Sequence, residues 1–97
     1  MKVRGFEVVK GYEDKDIHLP VRKTEHSAGY DVEAAEDVVI PPFKLGGKPT
    51  LIPTGLKAYC LDDEFYMLVN RSSGPKKGLV MCNSIGIVDS DYYGNID

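Results

Sequence analysis

Proline and glycine interrupt this chain so often that no long regular element fits between them. The main interruptions are Pro20, Pro41-Pro42, Gly46-Gly47, Pro53 and Ser73-Gly74-Pro75. No window of a dozen residues carries a convincing apolar repeat of 3.6 residues, which an amphipathic helix would need. The sequence therefore predicts short strands and little helix.

The segments between these interruptions have the composition of β-strands. Two of them interleave apolar and polar residues, and the others are β-branched, aromatic or broken by a turn: KVRGFEVV, YDVEAAEDVVI, LIPTGLKAYCL, FYMLVN and GLVMCNSIGIV. Several short strands separated by turns favour an all-β fold of the barrel or jelly-roll type. The sequence has no internal repeat or interdomain linker, so we expect residues 1–97 to form a single domain.

Composition excludes several classes of function. The chain has 97 residues, of which 42% are hydrophobic and 28% charged, as in ordinary globular proteins. Its net charge of −3 argues against a general affinity for nucleic acid or for anionic membranes. No apolar run approaches the length of a membrane span, and the N-terminus lacks the apolar core of a signal peptide. We therefore expect a cytoplasmic protein with no direct nucleic-acid or membrane partner.

The cysteines and histidines do not predict a metal site. Cys60 and Cys82 lie in apolar, strand-like runs without a CxxC spacing, so they are predicted to be buried, reduced thiols. His18 and His26 lie in polar loops, where solvated side chains are expected.

Two polar stretches each have a structural and a chemical interpretation. NRSSGPKKGL reads as a solvated loop, or as an anion cradle in which Arg71, the serines and turn N–H groups surround a phosphate. DSDYYG, directly after the apolar IGIV, reads as a plain turn. Alternatively, a carboxylate at this strand end acts as a base or metal ligand while a neighbouring ring covers a flat or sugar-like ligand.

The order of three stretches resembles a known family. AGYD, then RSS with KKGL, then NSIGIVDSDY resemble motifs one to three of the trimeric dUTPases, from about Ser27 to Gly94. The resemblance implies a jelly-roll-like β-barrel subunit. Because that family has two further motifs, it also implies that the C-terminal part is missing and that this fragment alone is inactive. Tyr93 stands where many relatives have Arg, which resembles phage and Gram-positive members.

The resemblance implies a role for each matching residue. Asp31 would hold, through water, a Mg²⁺ ion that binds the triphosphate. Asp89 would activate the attacking water, and Tyr92 would pack on the deoxyribose. The remaining matches would bind substrate, through a phosphate cradle of Arg71, Ser72 and Ser73 and a uracil-reading hairpin of Asn83, Gly86, Ile87 and Val88.

The implied function is hydrolysis of dUTP to dUMP and pyrophosphate, which limits uracil in DNA and supplies dUMP for thymidylate synthesis. The implied assembly is a homotrimer whose sites combine Asn83, Asp89 and Tyr92 of one chain with Arg71 and Ser72 of its neighbour. Two alternatives stay open at this point. One is a dCTP deaminase-like enzyme, which shares the fold. The other is a non-catalytic nucleotide-binding regulator, because phage members of the family can bind protein partners.

Overall fold

Four short strands and one helical turn form the regular structure of the chain. The computed structural model describes residues 2–97. In chain order the elements are β1 (Gly5–Val8), β2 (Leu56–Tyr59), β3 (Tyr66–Leu68), α1 (Ser73–Lys76) and β4 (Gly86–Val88). The longest of these elements has four residues, so the prediction of short strands with little helix is confirmed.

The strands pair into two antiparallel ribbons. β1 pairs with β2, with Gly5 opposite Tyr59. β3 pairs with β4, with Leu68 opposite Gly86. The first ribbon joins segments that are far apart in sequence, so a long connection must close before it can form.

A small apolar core joins the two ribbons. Phe6 of β1 contacts Tyr66 of β3, with ring centroids 5.2 Å apart, and the Tyr66 hydroxyl donates to the Tyr59 carbonyl at 3.0 Å. Burial raises the pKa of Tyr66. The buried members of this core are Ala58, Val88 and Ile96, packed against Phe6, Tyr66 and Leu68.

The last residues of the chain dock beside β2. The Thr54 N–H donates to the Ile96 carbonyl at 3.0 Å, and the Ile96 N–H donates to the Leu56 carbonyl at 2.9 Å. Between them, the Gly55 N–H donates to Asn95 Oδ1 at 3.2 Å. Gly55 has φ of 71°, and a Cβ there would lie 2.9 Å from Ile17. Glycine is therefore required at this position for both backbone conformation and space.

The predicted strand YDVEAAEDVVI does not form. Its structural contacts include an isolated bridge between Asp31 and Val21, and the Ala35 N–H donates to the Pro53 carbonyl at 2.9 Å. Pro41-Pro42 follow this segment and have no N–H to donate, so a regular ladder cannot continue through them. In GLVMCNSIGIV, likewise, β4 covers only residues 86–88.

The segment NRSSGPKKGL is not a simple hairpin loop, because it contains α1. Pro75 lies in the first turn of this helix, where the missing N–H costs no internal hydrogen bond. Gly78, with φ of 84°, follows the helix and lets the chain reverse.

The two cysteines differ in exposure. Cys60 is half-buried, and this burial raises the pKa of its thiol. Cys82 is exposed, so the prediction that it is buried is wrong. Its neighbours form a turn rather than a strand, which leaves its side chain without a sheet to pack against. Within residues 2–97 there is no helix of the length and apolarity that crossing a membrane requires.

Candidate active site

The turn that follows β4 is held by hydrogen bonds. The Tyr92 N–H donates to the Asp89 carbonyl at 3.1 Å and closes the turn. Ser90 Oγ donates to the Asp62 carbonyl at 3.5 Å, which links the turn to the loop between β2 and β3. Val88, immediately before the turn, is buried in the core. The Asp89 side chain is therefore exposed on a backbone that is anchored at its N-terminal side.

Tyr92 folds back over the chain that follows it. Its hydroxyl donates to the Asn95 carbonyl at 2.7 Å. A Cβ on Gly94 would lie 2.9 Å from the same hydroxyl, so any larger residue at position 94 would push the ring away. Tyr92 is 47% exposed, so part of this residue is open to a ligand.

Asp89 lines an open groove of about 500 Å³ between the turn and the loop before β3. Phe65 and Ile87 supply apolar surface, while the other lining residues are mostly acidic: Asp62, Asp63, Glu64, Asp89, Ser90 and Asp91. Glu64 is neutralised by Arg4, at 2.6 Å between Oε2 and Nη2. The hydrogen bond from Arg4 and a second from the Leu61 N–H lower the pKa of Glu64.

Asn83 lies in the turn that leads into β4; residues 77–85 form no strand, so the predicted hairpin is a turn that enters a single strand. Ser84 adopts φ of 65°, its N–H donates to the Met81 carbonyl at 2.9 Å, and the Ile85 N–H donates to the Asn83 carbonyl at 2.7 Å. The Asn83 side-chain nitrogen lies 3.7 Å from the position that a Cβ on Gly86 would occupy. The turn thus brings Asn83 against the start of β4.

In the described part of the chain, β4 pairs with a neighbour along one edge only, that of β3. Its second edge carries backbone N–H and C=O groups that no other strand of residues 2–97 uses. The Ile87 side chain is exposed, whereas Val88 points into the core. This edge offers a row of fixed donors and acceptors to a flat polar ligand.

A second cleft, of about 270 Å³, contains Asp31 and Arg71. Arg71 Nη1 lies 3.9 Å from Asp31 Oδ2, although the two residues are distant in sequence. The Asp31 N–H donates to the Val21 carbonyl at 3.0 Å, which fixes the backbone of this residue. Arg71 is 68% exposed, so its guanidinium retains donors that can bind an anion.

Asp31 has the character of a ligand-binding carboxylate. Its Oδ2 atom is buried without a hydrogen-bond partner within the described residues. Such an oxygen is costly unless something else satisfies it. Residues 2–97 contain no group of three or more His, Cys, Asp or Glu side chains arranged to hold a metal ion. Asp31 nevertheless fits Mg²⁺, because that ion keeps several waters and takes one or two carboxylates together with substrate phosphates.

The two serines of the second motif flank the start of α1. Ser72 is the residue before the helix, and its side chain makes no capping hydrogen bond. Ser73 is the first residue of the helix, and both serines are exposed. Gly74 is buried against Asn70, whose Nδ2 donates to the Leu79 carbonyl at 2.9 Å. The Asn70 contact therefore fixes the loop that presents Arg71 and both hydroxyls.

The structure sorts the predicted residues into two groups. Asn83, Gly86, Asp89 and Tyr92 lie along β4 and the turns at its ends, while Arg71 and Asp31 lie in the other cleft. Sequence reasoning missed further residues of the second cleft, which are His18, Lys23 and Glu33. His18 Nδ1 lies 3.1 Å from Glu33 Oε1. Their spacing in the sequence carries no motif that could have indicated this contact.

Comparison with known proteins decides the family. Residues 15–97 match the sequence model of the dUTPase family. This chain belongs to the dUTPase family. The chain is 56% identical over 98 aligned positions to the deoxyuridine 5'-triphosphate nucleotidohydrolase of Lactococcus lactis, covering all of this chain and 63% of that protein. It is 42% identical to the enzyme of the same name from Psychrobacter cryohalolentis, covering 87% of this chain and 54% of the relative.

The dUTPase fold is also found in a solved structure. The crystal structure of dUTPase from Streptococcus mutans superposes with a TM-score of 0.77 at 45% identity, covering 92% of this chain and 66% of that one. This likeness confirms the all-β, jelly-roll-like fold expected from the sequence. The chain spans about three fifths of the length of its Lactococcus lactis relative.

Proposed function

We propose that the full-length protein hydrolyses dUTP to dUMP and pyrophosphate. The observation that carries this proposal is the exposed carboxylate of Asp89 on a hydrogen-bonded turn directly after β4, in a chain of the dUTPase family. The relatives named above are nucleotidohydrolases of deoxyuridine 5'-triphosphate. By this proposal the enzyme limits uracil in DNA and supplies dUMP for thymidylate synthesis.

Uracil recognition is assigned to β4 and the turn before it. Uracil presents an acceptor, a donor and an acceptor along one edge, and the free edge of β4 carries backbone groups that can complement them. The Asn83 side chain, beside Gly86, supplies a further amide. Cytosine in such a pocket would leave buried polar groups unpaired, which gives strong discrimination.

Catalysis is assigned to the turn after β4. The Asp89 carboxylate takes a proton from a water molecule, and the water oxygen attacks the α-phosphorus. The bond from this phosphorus to the bridging oxygen breaks, and pyrophosphate leaves with the electron pair. Tyr92 packs its exposed ring face on the deoxyribose, where a 2′-hydroxyl would not fit.

Phosphate binding is assigned to Arg71, Ser72 and Ser73. Arginine forks donate two parallel hydrogen bonds to a phosphate, and the uncapped Ser72 hydroxyl can donate another. We propose Mg²⁺ as the cofactor, held through water by Asp31, whose Oδ2 is buried without a partner. When bound, this ion offsets negative charge on the triphosphate.

The alternatives are not favoured. Both relatives reported above are named as hydrolases of a deoxyuridine nucleotide, which does not favour a dCTP deaminase-like activity or a purely regulatory role. A cytoplasmic location and a regulatory protein partner stay predictions from the sequence.

The test uses Asp89→Asn in the full-length protein, with Asp91→Asn as the matched control two residues along the same turn. Asparagine keeps the shape of the side chain but removes the base, so pyrophosphate release should fall by about a hundredfold or more. Binding of dUTP should persist, and Asp91→Asn should keep near-normal turnover. Near-normal turnover of Asp89→Asn, or an equal loss in both variants, contradicts the role given to Asp89. Ammonia release instead of pyrophosphate contradicts the proposed reaction.

We also propose a homotrimer with active sites between subunits. The support is that Asp89 and Arg71 line separate clefts of one chain, so one site needs residues from two chains. Large apolar side chains are also exposed on the single chain, including Val39 at 89%, Phe43 at 79% and Leu45 at 98%. Apolar surface of this kind is typical of an interface.

Complementation between inactive variants tests this arrangement. Arg71→Ala and Asp89→Asn chains are each assayed alone and after mixed reassembly in equal amounts. If a site takes one residue from each of two chains, roughly a quarter of the mixed sites regain both native groups. A mixture no more active than its separate components argues that each site lies within one chain. Light scattering that detects a monomer at micromolar concentration contradicts the trimer.

A further inference from the structure

Tyr93 has a partner that its position next to Tyr92 does not predict. Lys57 Nζ lies over the Tyr93 ring, 4.1 Å from the ring centroid. Lys57 belongs to β2, whereas Tyr93 belongs to the turn after β4. An ammonium group at this distance from a tyrosine face is attracted by the negative potential of the ring.

The contact between Lys57 and Tyr93 extends a row of hydrogen bonds that joins residues 54–56 to residues 95–96. Thr54 and Ile96 share a backbone hydrogen bond, Gly55 donates to Asn95, and Leu56 accepts from Ile96. Lys57 and Tyr93 continue the row on its side-chain surface. Residues 54–57 therefore hold residues 93–96 through two backbone–backbone hydrogen bonds, one hydrogen bond from the Gly55 N–H to the Asn95 side chain, and one cation–π contact.

We infer that Lys57 is a positioning residue for the sugar-reading ring of Tyr92, and that it acts through Tyr93. This inference rests on the proposed function, because Tyr92 matters as a sugar contact only if a deoxynucleotide binds there.

The path from Lys57 to Tyr92 is short. Tyr93 is bonded to Tyr92 through one peptide, and the Tyr92 hydroxyl bonds the Asn95 carbonyl at 2.7 Å. Tyr93 therefore lies between the two points that position the Tyr92 ring, which are the Tyr92 backbone and the Asn95 carbonyl. Tyr93 is 53% exposed, and Lys57 lies over one face of its ring. If Lys57 is removed, Tyr92 keeps its bonds to Asp89 and Asn95 but loses the restraint that Lys57 places on the next residue, Tyr93.

Lys57 also faces Glu7 across the β1–β2 ribbon, because the two residues are paired in register. Opposite charges at facing positions stabilise a sheet. If Lys57 only stabilised the β1–β2 ribbon, it would act through Glu7. Glu7→Gln therefore distinguishes stabilisation of the ribbon from positioning of Tyr92.

The experiment compares kcat/KM for dUTP and UTP in the full-length protein. Lys57→Met keeps the length of the side chain but removes the charge, so the preference for dUTP over UTP should fall by about three- to tenfold, the scale of one cation–π contact. Lys57→Arg and Tyr93→Phe should keep the preference, because each retains a cation and a ring. Tyr93→Leu should reproduce the loss, and adding Lys57→Met to it should cause little further change.

Two results overturn the inference. One is an unchanged preference for dUTP in Lys57→Met. The other is an equal loss of preference in Glu7→Gln, which would assign the effect to the ribbon. A second readout does not depend on activity: the ring-proton chemical shifts of Tyr92 should change in Lys57→Met and not in Glu7→Gln. If the wild-type protein releases no pyrophosphate from dUTP, the proposed function is wrong. Unchanged ring-proton chemical shifts of Tyr92 in Lys57→Met separately reject the positioning role of Lys57.

Discussion

The two halves of the candidate site are built differently. The turn that carries Asp89 and Tyr92 is bonded to the β2–β3 loop on one side and is continuous with the segment docked beside β2 on the other. The cleft of Asp31 and Arg71 is held by contacts between loops, namely the isolated bridge at Asp31, the ion pair at 3.9 Å and the Asn70 hydrogen bond beside Arg71. The first half is supported by the core, whereas the second half lies on loops.

This difference indicates which half determines substrate specificity and which half binds the triphosphate. A backbone that is already fixed can discriminate between bases and sugars, because the ligand does not spend binding free energy on ordering it. Arg71, in contrast, is 68% exposed and its charged partner Asp31 Oδ2 lies 3.9 Å away, so the arginine side chain loses rotamer freedom when it binds an anion. We therefore expect substrate specificity to reside in the first half, and triphosphate binding to order the second.

The largest effect on stability is expected from weakening the first half of the site, which carries Asp89 and Tyr92. Thr54 Oγ1 is buried, donates to the Ile96 carbonyl at 2.6 Å and accepts from the Leu56 N–H at 3.2 Å. Thr54→Val keeps the shape but leaves the Leu56 N–H without this partner, so urea unfolding should show a loss of about 1–3 kcal/mol.

The matched control is Thr50→Val, because Thr50 is exposed four residues earlier. It should change the free energy of unfolding by no more than about 0.5 kcal/mol. An equal effect of both substitutions would show that the Ile96 anchor is not important for stability.

An intermediate effect, on KM for dUTP, is expected in the second half of the site, the cleft of Asp31 and Arg71. Arg71→Lys keeps the charge but removes the planar fork, so KM for dUTP should rise by about tenfold while the melting temperature stays unchanged. Arg22→Lys is the control, since Arg22 lies over the Tyr30 ring at 5.3 Å and a lysine can keep that contact. An unchanged KM in Arg71→Lys would mean that Arg71 does not form a bidentate contact with the triphosphate.

The smallest effect is expected at Glu64, on the rim of the Asp89 groove. The pKa of Glu64 is lowered in the folded state by Arg4 and by the Leu61 N–H. A carboxyl group with a lowered pKa stabilises the fold above its unfolded pKa of about 4.3, and this contribution is lost as pH falls through the folded value.

Glu64→Gln should therefore lower the urea midpoint slightly at about pH 7, and the difference from wild type should shrink as the pH falls through the lowered pKa of Glu64. Glu25→Gln, at an exposed position, serves as the control. A difference between wild type and Glu64→Gln that persists at the lower pH would assign the effect to packing rather than to charge.

The positions of the strands could be predicted from local patterns, whereas the site residues were assigned only through the resemblance to a family, and their roles stay predictions. Residues 5–8, 56–59, 66–68 and 86–88 all fall within runs predicted as strands. The segment around Val38–Ile40 has equally strong β composition but forms no strand, because a strand also needs a partner. The prediction that Cys82 is buried is wrong for the same reason, because an apolar run does not bury a side chain unless another element packs against it.

The sequence by itself determined where this chain turns and which chemical groups stand at the turns. Gly, Pro, Asn and Asp act through the backbone of their own neighbourhood, so their effect can be read locally. Only the tertiary structure decided that Arg71 lies beside Asp31, that Thr54–Leu56 anchor Ile96, and that Lys57 covers Tyr93. These contacts join residues far apart in the chain, and they depend on which strands pair and on how the core brings the two ribbons together.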